Sequence, residues 1–280
     1  MSKPLKFVVK QNSRERELLI TEKMDYKVIP PCKELKDIVS HFWTGTWDNN
    51  SLVTNEVYYV IANSLTEFTF AFSGSKRHDQ LLFSAVQGHT HIPNQLPVDR
   101  FFHLIGVSLY SYAIPSLFNF PSFELNQEFI PLTTFLGSDG AVLNEKIALA
   151  GTTEQRITIL SNYFKSLLKH QKLNDTRILR AIQEVKKFNG NPKIIDLASD
   201  SFLSQKQFNR RFKEFSGFNP KMFARIIRLE SAIKSYPNFS TLTQVACSNG
   251  YYDQAHFIRE FKELTGFSPR EFWKLSEDKT

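Results

Sequence analysis

Ser204-Gln205-Lys206-Gln207-Phe208-Asn209-Arg210-Arg211-Phe212-Lys213-Glu214 is matched 49 residues later by Asp253-Gln254-Ala255-His256-Phe257-Ile258-Arg259-Glu260-Phe261-Lys262-Glu263. Both stretches continue into Gly-Phe, a polar residue and proline, at 217–220 and 266–269. Upstream of these stretches the offset is one residue shorter: Leu197-Ala198 corresponds to Val245-Ala246. A constant offset over so many positions indicates a duplicated supersecondary unit.

Each copy has the pattern of a short helix, a turn and a longer helix. Ser204 and Asp253 are favourable N-caps for the longer helices. Behind them, aromatic and aliphatic residues recur at helical spacing and predict a buried stripe. The stripe residues are Phe208, Phe212 and Phe215 in the first copy and Phe257, Phe261 and Leu264 in the second.

The opposite face of each longer helix carries side chains suited to reading DNA. It holds Lys206, Asn209, Arg210 and Lys213 in the first copy and Ala255, Ile258, Arg259 and Lys262 in the second. A helix that buries one face and presents such residues on the other suits the major groove. A purely structural helical bundle would explain the apolar stripes but neither the duplication nor the cationic faces.

The stretch from Val245 to Phe272 resembles the signature of the AraC/XylS family of bacterial transcription regulators. The matching residues are Ala246, Gly250, Tyr251, Asp253, His256, Phe257, Arg259, Phe261, Lys262, Gly266, Ser268, Pro269 and Phe272. The resemblance implies two helix-turn-helix modules, at about 193–217 and 241–266, joined by a long helix. The sequence departs from the family at Cys247-Ser248-Asn249, away from the predicted reading faces.

Individual roles follow from the chemistry of base edges and phosphates. Arginine pairs with guanine, asparagine with adenine, and apolar side chains meet the thymine methyl group. Helix-terminal and capping residues suit phosphate oxygens. The predicted base contacts are Lys206, Asn209, Arg210, Ala255, Ile258 and Arg259. The predicted phosphate contacts are Ser204, Gln205, Lys213, Gln254, His256 and Lys262.

The charge of the chain is concentrated in one half. Residues 1–170 contain 16 Lys and Arg against 16 Asp and Glu, whereas residues 171–280 contain 19 against 12. The whole excess of +7 therefore lies with the repeat, as expected for a phosphate-facing domain. We predict two domains, 1–170 and 171–280, separated by a polar linker at 169–175.

The N-terminal half is predicted to be β-rich, which makes the fold α+β with an all-α C-terminal domain. Strands are predicted at 57–61, 67–72, 81–86 and 102–109. Apolar spacing predicts a short helix at 34–42, although His41 to Thr44 could instead begin a strand. The sequence also predicts a capped amphipathic helix at 152–170. It either packs on this domain or, as the resemblance to the AraC/XylS family implies, contacts a second subunit.

Residues 26–125 are also similar to the N-terminal regulatory domain of one group of AraC-like regulators. The similarity lies in the segment 26–42, in Gln87-Gly88 and in Ile105-Gly106-Val107 followed by Pro115. It implies a domain that senses a ligand, mediates dimerisation, or does both.

A metal-binding enzyme of the cupin type is the alternative reading, because His89 and His91 form a His-x-His pair, with His103 further on. The carboxylate that a cupin site needs is missing, since the chain continues Ile92-Pro93-Asn94-Gln95. Pro93 favours loop or surface histidines over metal ligands. Phosphate-loop, nucleophile-elbow and HExxH motifs do not occur. We therefore expect no enzyme activity, no metal and no cofactor.

A non-catalytic protein that binds other proteins through its basic helices is a third alternative.

Double-stranded DNA is the predicted partner. RNA polymerase, a small-molecule effector of the N-terminal domain and a second copy of the chain are further candidates. Cys32 and Cys247 are far apart and form no CxxC motif, which fits a reducing cytoplasmic setting. No apolar run approaches the length of a membrane span, so membrane association is not expected.

Overall fold

A computed structural model describes residues 6–11, 18–20, 24–48, 56–73, 80–97, 101–169 and 175–277. They form an N-terminal antiparallel β domain followed by a C-terminal helical domain. The predicted α+β fold class is confirmed. Most of the predicted linker, residues 170–174, lies outside the described residues.

The β domain contains two antiparallel sheets. A four-stranded sheet has the order β2-β1-β5-β8, and a six-stranded sheet has the order β10-β7-β6-β9-β4-β3. The strands are β1 (Lys6–Gln11), β2 (Leu18–Ile20), β3 (Met24–Ile29), β4 (Val39–Asp48), β5 (Glu56–Val60), β6 (Leu65–Ser73), β7 (Gln80–Gln87), β8 (Asn94–Pro97), β9 (Phe101–Tyr110) and β10 (Phe129–Pro131).

The four predicted strands are confirmed as β5, β6, β7 and β9. The helix predicted at 34–42 is wrong, because only a single 3-10 turn forms at Lys33–Leu35 and β4 begins at Val39. The β4 segment pairs with β3 on one side and β9 on the other, so tertiary hydrogen bonding overrides the local helical spacing. The apolar residues of that pattern are nevertheless buried; they are Leu35, Ile38, Val39 and Phe42.

Four helices cover one face of the six-stranded sheet or lie at its edge. They are α1 (Ile114–Phe118), α2 (Leu132–Leu136), α3 (Ser138–Leu149) and α4 (Thr153–Leu168). The alternating residues Phe68, Phe70 and Phe72 point into this core. Helix α4 begins with the predicted capping box and buries Phe164 edge-on against Phe68, with ring centroids 5.4 Å apart. Its apolar stripe therefore packs on its own β domain.

The helical domain consists of seven helices in the described part of the chain. They are α5 (Thr176–Lys187), α6 (Ile194–Asp200), α7 (Gln205–Ser216), α8 (Pro220–Ser235), α9 (Leu242–Ser248), α10 (Gln254–Thr265) and α11 (Pro269–Glu277). The pairs α6–α7 and α9–α10 are the two helix-turn-helix modules, and α8 is the long helix between them. The repeat predicted this arrangement, and the structure confirms it.

Local sequence signals set the boundaries of α7 and α10. The hydroxyl of Ser204 accepts from the Gln207 N–H in a capping box, and the carboxylate of Asp253 accepts from the His256 N–H. Both helices end at a glycine in the left-handed region, Gly217 and Gly266. The predicted caps and stops are confirmed.

The phenylalanine stripes of both modules join a single core. Phe208, Phe212, Phe257 and Phe261 are fully buried, and their neighbours in the core come from α5, α8 and α11. Tyr59, Ile61 and Ala62 of the β domain belong to the same core. The two domains therefore share apolar packing and are not independent along this contact.

Within the described residues, no helix is both long enough and apolar enough to cross a membrane.

We predict that Phe212→Ala destabilises the chain by about 3–5 kcal/mol, because truncating a buried phenylalanine leaves a cavity. Phe202→Ala is the matched control, since Phe202 is 86% exposed. It should change the free energy of unfolding by no more than about 0.5 kcal/mol. Urea denaturation followed by circular dichroism measures both. Equal losses for the two variants would contradict this account of the core.

The buried His89 side chain predicts a pH dependence of stability. Burial lowers its pKa to about 3, against about 6.5 in an unfolded chain. Between these values the unfolded chain binds the proton and the folded chain does not. The stabilising contribution of the neutral ring is therefore complete above pH of about 6.5 and is lost as the pH falls towards 3.

The measurement is the free energy of unfolding of the wild type and of His89→Gln at several pH values. The wild type should lose about 1.4 kcal/mol more per pH unit than the variant, between about pH 6 and pH 5. The other histidines contribute equally to both proteins. Parallel pH profiles would show that His89 is not buried in its neutral form.

Candidate nucleic-acid interface

Helix α7 presents its predicted reading face to solvent. Lys206, Asn209, Arg210 and Lys213 are all exposed, while Phe208, Phe212 and Phe215 on the opposite side are buried. Lys213 also lies over the ring of Phe123 from the β domain, with its Nζ atom 5.1 Å from the ring centroid. The predicted base-contacting residues of the first module thus share one open, polar and cationic face.

Helix α10 presents the equivalent face, with less charge. Ala255, Arg259 and Lys262 are exposed. Ile258 is only half-exposed, because it packs against the core of the helical domain. The second face therefore carries less charge and is more apolar than the first.

The remaining phosphate candidates cluster at the helix N-termini. Ser204 uses its hydroxyl to cap α7, and Gln205 beside it is exposed. The Gln254 side chain accepts a hydrogen bond from the Thr243 hydroxyl at 2.7 Å, which connects α10 to α9. The half-buried His256 ring accepts from the Tyr252 N–H at 3.4 Å, and its Nε2 lies 3.8 Å from the Glu260 carboxylate.

An ion pair orients α7. The Arg211 guanidinium donates to the carboxylate of Asp175, the residue that caps the start of α5. Burial tends to raise the pKa of Asp175, but the hydrogen bond from Arg211 and its neighbours holds it below its usual range. The first module is thereby tied to the first helix of the domain.

A larger ion cluster orients α10. The buried Glu260 carboxylate accepts from Arg225 Nε at 2.8 Å and from Arg228 at 2.8 Å, and both arginines lie on α8. Arg225 also reaches Glu263 at 2.7 Å. Burial works against the charge of Arg225, yet the hydrogen bonds to Glu263 and Glu260 raise its pKa above the usual value. The second module is therefore fixed to the connecting helix.

These two anchors were not identified from the sequence. Arg211 and Glu260 occupy the same position in the two repeats, with opposite charge. That reversal is a signal in the sequence, but the partners Asp175, Arg225 and Arg228 are known only from the packing. Tyr252, which is 91% exposed beside the start of α10, was also not singled out.

The side chains of the paired histidines both contact neighbouring protein groups. His89 and His91 lie in a loop, as predicted, but His89 is buried rather than on the surface. Its ring packs on Phe218, with centroids 4.6 Å apart, and His91 lies near Gln127. In the part of the chain that the structure describes, no three His, Cys, Asp or Glu side chains form a metal-binding group.

Two domain families match the chain. Residues 197–274, which span both modules, match a helix-turn-helix domain, and residues 27–131 match a domain of unknown function, DUF6597. No curated protein matches significantly over the chain.

Solved structures of ToxT from Vibrio cholerae are similar at low identity. One at 1.65 Å has 14% identity and a TM-score of 0.44, covering 90% of this chain and 98% of that chain. Another, from strain O395 and bound to (E)-4-(8-methylnaphthalen-1-yl)but-3-enoic acid, has 14% identity, a TM-score of 0.45 and coverages of 90% and 99%. The class of the protein therefore rests on the helix-turn-helix domain match.

The duplicated modules and the domain match define a DNA-binding transcription regulator. Residues 197–274 form a helix-turn-helix domain of the AraC type.

We predict that Glu260→Ala destabilises the helical domain by about 3–5 kcal/mol, because it leaves two half-buried arginines without their carboxylate. Glu263→Ala is the matched control, since its carboxylate is 56% exposed. The control should cost no more than about 1 kcal/mol. Urea denaturation compares the two. Equal, small losses would mean that the cluster is screened by water.

Proposed function

We propose that the chain reads specific DNA sequences by placing α7 and α10 in successive segments of the major groove. Groove-reading helices need an exposed face of hydrogen-bonding side chains and a buried face that fixes their orientation. One observation carries the proposal. Three positions of the predicted face are exposed in both repeats, and aromatic or aliphatic residues occupy the buried positions opposite them; the exposed pairs are Lys206 and Ala255, Arg210 and Arg259, and Lys213 and Lys262.

The two helices divide the recognition between them. Arg210 and Arg259, at the same position of the two repeats, pair with guanine. Lys206 and Asn209 supply further hydrogen bonds from the first helix, and Asn209 suits adenine. Ala255 and the exposed part of Ile258 contact thymine methyl groups from the second helix.

Phosphate contacts hold the two helices in register on the duplex. Lys213 and Lys262 lie near the C-terminal ends of α7 and α10, and Ser204, Gln205, Gln254 and His256 lie at the N-terminal ends. Cationic side chains and helix N-termini both suit phosphate oxygens. Binding should therefore release counterions, and the logarithm of the affinity should fall linearly with the logarithm of salt concentration.

We also propose that residues 1–170 form a regulatory domain that senses a small molecule, mediates dimerisation, or both. Support comes from the packing of Tyr59, Ile61 and Ala62 into the helical core, through which a change in the β domain would reach both modules. We further propose that the protein acts in the cytoplasm. There it would contact RNA polymerase at promoters. The proposed role requires no catalysis, cofactor or metal.

The test begins with the full chain and a library of random duplexes. Selection and footprinting should yield a preferred sequence with two half-sites, bound more tightly than a scrambled duplex. A folded chain that binds both duplexes equally at every salt concentration would overturn the proposal of sequence-specific reading.

We predict that Arg210→Ala and Arg259→Ala each weaken binding to the selected duplex by about 1–3 kcal/mol, because each loses a bidentate base contact. Binding to scrambled DNA should change less. Lys213→Ala should weaken binding to both duplexes alike and reduce the salt slope by about one unit.

Arg270→Ala is the control for loss of charge, since Arg270 is exposed on α11, outside both reading faces. Titrations on the selected and scrambled duplexes compare the four variants. If Arg210→Ala and Arg259→Ala lose affinity equally for both duplexes, the arginines are phosphate clamps.

A further inference from the structure

The turns that end α7 and α10 are equivalent in sequence and geometry. Gly217-Phe218 and Gly266-Phe267 are 49 residues apart, and the two glycines have φ angles of 82° and 81°. Both turns lie at the C-terminal ends of the recognition helices, so any group that holds a turn also holds its helix. The β domain contacts both of them.

His89 holds the first turn. Its ring lies 4.6 Å from the ring of Phe218, nearly perpendicular to it. A Cβ atom on Gly217 would lie only 1.8 Å from His89 Nε2, so the histidine occupies the space that any other residue at 217 would need. His89 is completely buried in this contact.

Tyr59 holds the second turn. Its ring lies 4.6 Å from the ring of Phe267, and a Cβ atom on Gly266 would lie 2.6 Å from its hydroxyl. The N–H of Ala62 also donates to the carbonyl of Leu264 at 3.0 Å. That carbonyl belongs to the last turn of α10, where the helix itself provides no donor.

The two contacting segments of the β domain are joined to each other. The Asn63 N–H donates to the Thr90 carbonyl at 2.9 Å, which bridges the segment that follows β5 to the segment that follows β7. The Ser111 hydroxyl lies 3.3 Å from His89 Nδ1 and donates to the Ser64 carbonyl at 2.8 Å. Hydrogen bonds therefore join the segment that carries Tyr59 and the segment that carries His89 into one unit.

The same unit also holds the helix between the modules. The N–H and the hydroxyl of Ser64 both donate to one carboxylate oxygen of Glu230, each at 2.9 Å. Glu230 lies on α8, which joins α7 to α10. One surface of the β domain thus touches the first recognition helix, the connector and the second recognition helix.

We propose that Tyr59 and His89 are positioning residues that set the separation of the two recognition helices, and with it the half-site spacing that the protein accepts. The proposal rests on the proposed function, because spacing matters only if both helices read DNA. Adding one base pair rotates the second half-site by about 35° around the DNA axis, since one turn contains about 10–10.5 base pairs. A rigid pair of helices cannot follow that rotation.

The first experiment measures spacing specificity with the full chain. The probe is the duplex selected by the wild type, together with versions in which one base pair is added or removed between the half-sites. The wild type should bind the altered duplexes about tenfold or more weakly, as for the loss of one bidentate contact. His89→Ala and Tyr59→Ala should reduce this difference to about twofold while retaining binding to a single half-site.

The matched control is Phe83→Ala. Phe83 is an aromatic residue of the same β domain, and its ring packs on Phe129. This variant should keep the full spacing preference. A folded His89→Ala or Tyr59→Ala protein that discriminates spacers as sharply as the wild type would overturn the proposal.

A second measurement needs no DNA and uses smaller changes. Nitroxide labels at the equivalent positions Lys206→Cys and Ala255→Cys, with Cys32 and Cys247 replaced by serine, report the distance between α7 and α10. The distance distribution should be narrow in the parent chain. It should broaden or shift in Tyr59→Phe and Ser64→Ala, which remove one hydroxyl each and so leave the core filled.

Unchanged distances in both hydroxyl variants and in His89→Ala would show that the β domain packs on the modules without positioning them. If the parent chain shows no specific DNA binding at all, the proposed function fails. The label distances would still decide whether these residues hold the helices apart.

Discussion

Burial of one aromatic stripe on each recognition helix is the constraint on which the rest of the structure depends. Phe208 and Phe212 in α7, and Phe257 and Phe261 in α10, are inaccessible to solvent. Once a helix commits these positions to the core, the 3.6-residue period leaves the arc around Arg210 or Arg259 facing outwards. Apolar packing therefore determines which side chains can meet a base, and of the proposed base contacts Ile258 itself packs partly against the core.

Polar interactions then restrict the movements of each recognition helix that apolar packing still allows. Apolar packing determines which face of a helix is buried. It still allows the helix to shift or tilt against the core, because apolar contacts have little directionality. Charged hydrogen bonds are directional, and each module has one anchor at the same repeat position. Arg211 binds Asp175 at the start of α5, and Glu260 binds Arg225 and Arg228 on α8. The duplicated unit thus kept its geometry while the sign of the anchoring charge was reversed.

The contact between the domains connects the β domain directly to the two recognition helices and to the helix between them. Ala62, Ser64 and His89 meet the helical domain at the connector or at the C-terminal ends of α7 and α10. None of these positions lies on the exposed reading faces, and Lys213 of the α7 face stays exposed although it lies over the β-domain ring of Phe123. A ligand or a second subunit that moved this surface could alter the separation of the helices and leave the chemistry of each helix unchanged.

The sequence by itself determined the features that depend on neighbours along the chain. Capping residues, glycine stops and helical periodicity are local, so the boundaries of α7 and α10 and their exposed arcs were predictable from the repeat. The segment 34–42 was misread because its local spacing suits a helix, whereas hydrogen bonds to two other strands make its second half, from Val39, the start of β4. The contact partners of Asp175, Glu230, Tyr59 and His89 were decided only by the tertiary structure. These partners are 36 to 208 residues away along the chain, and no local pattern specifies a contact over such a separation.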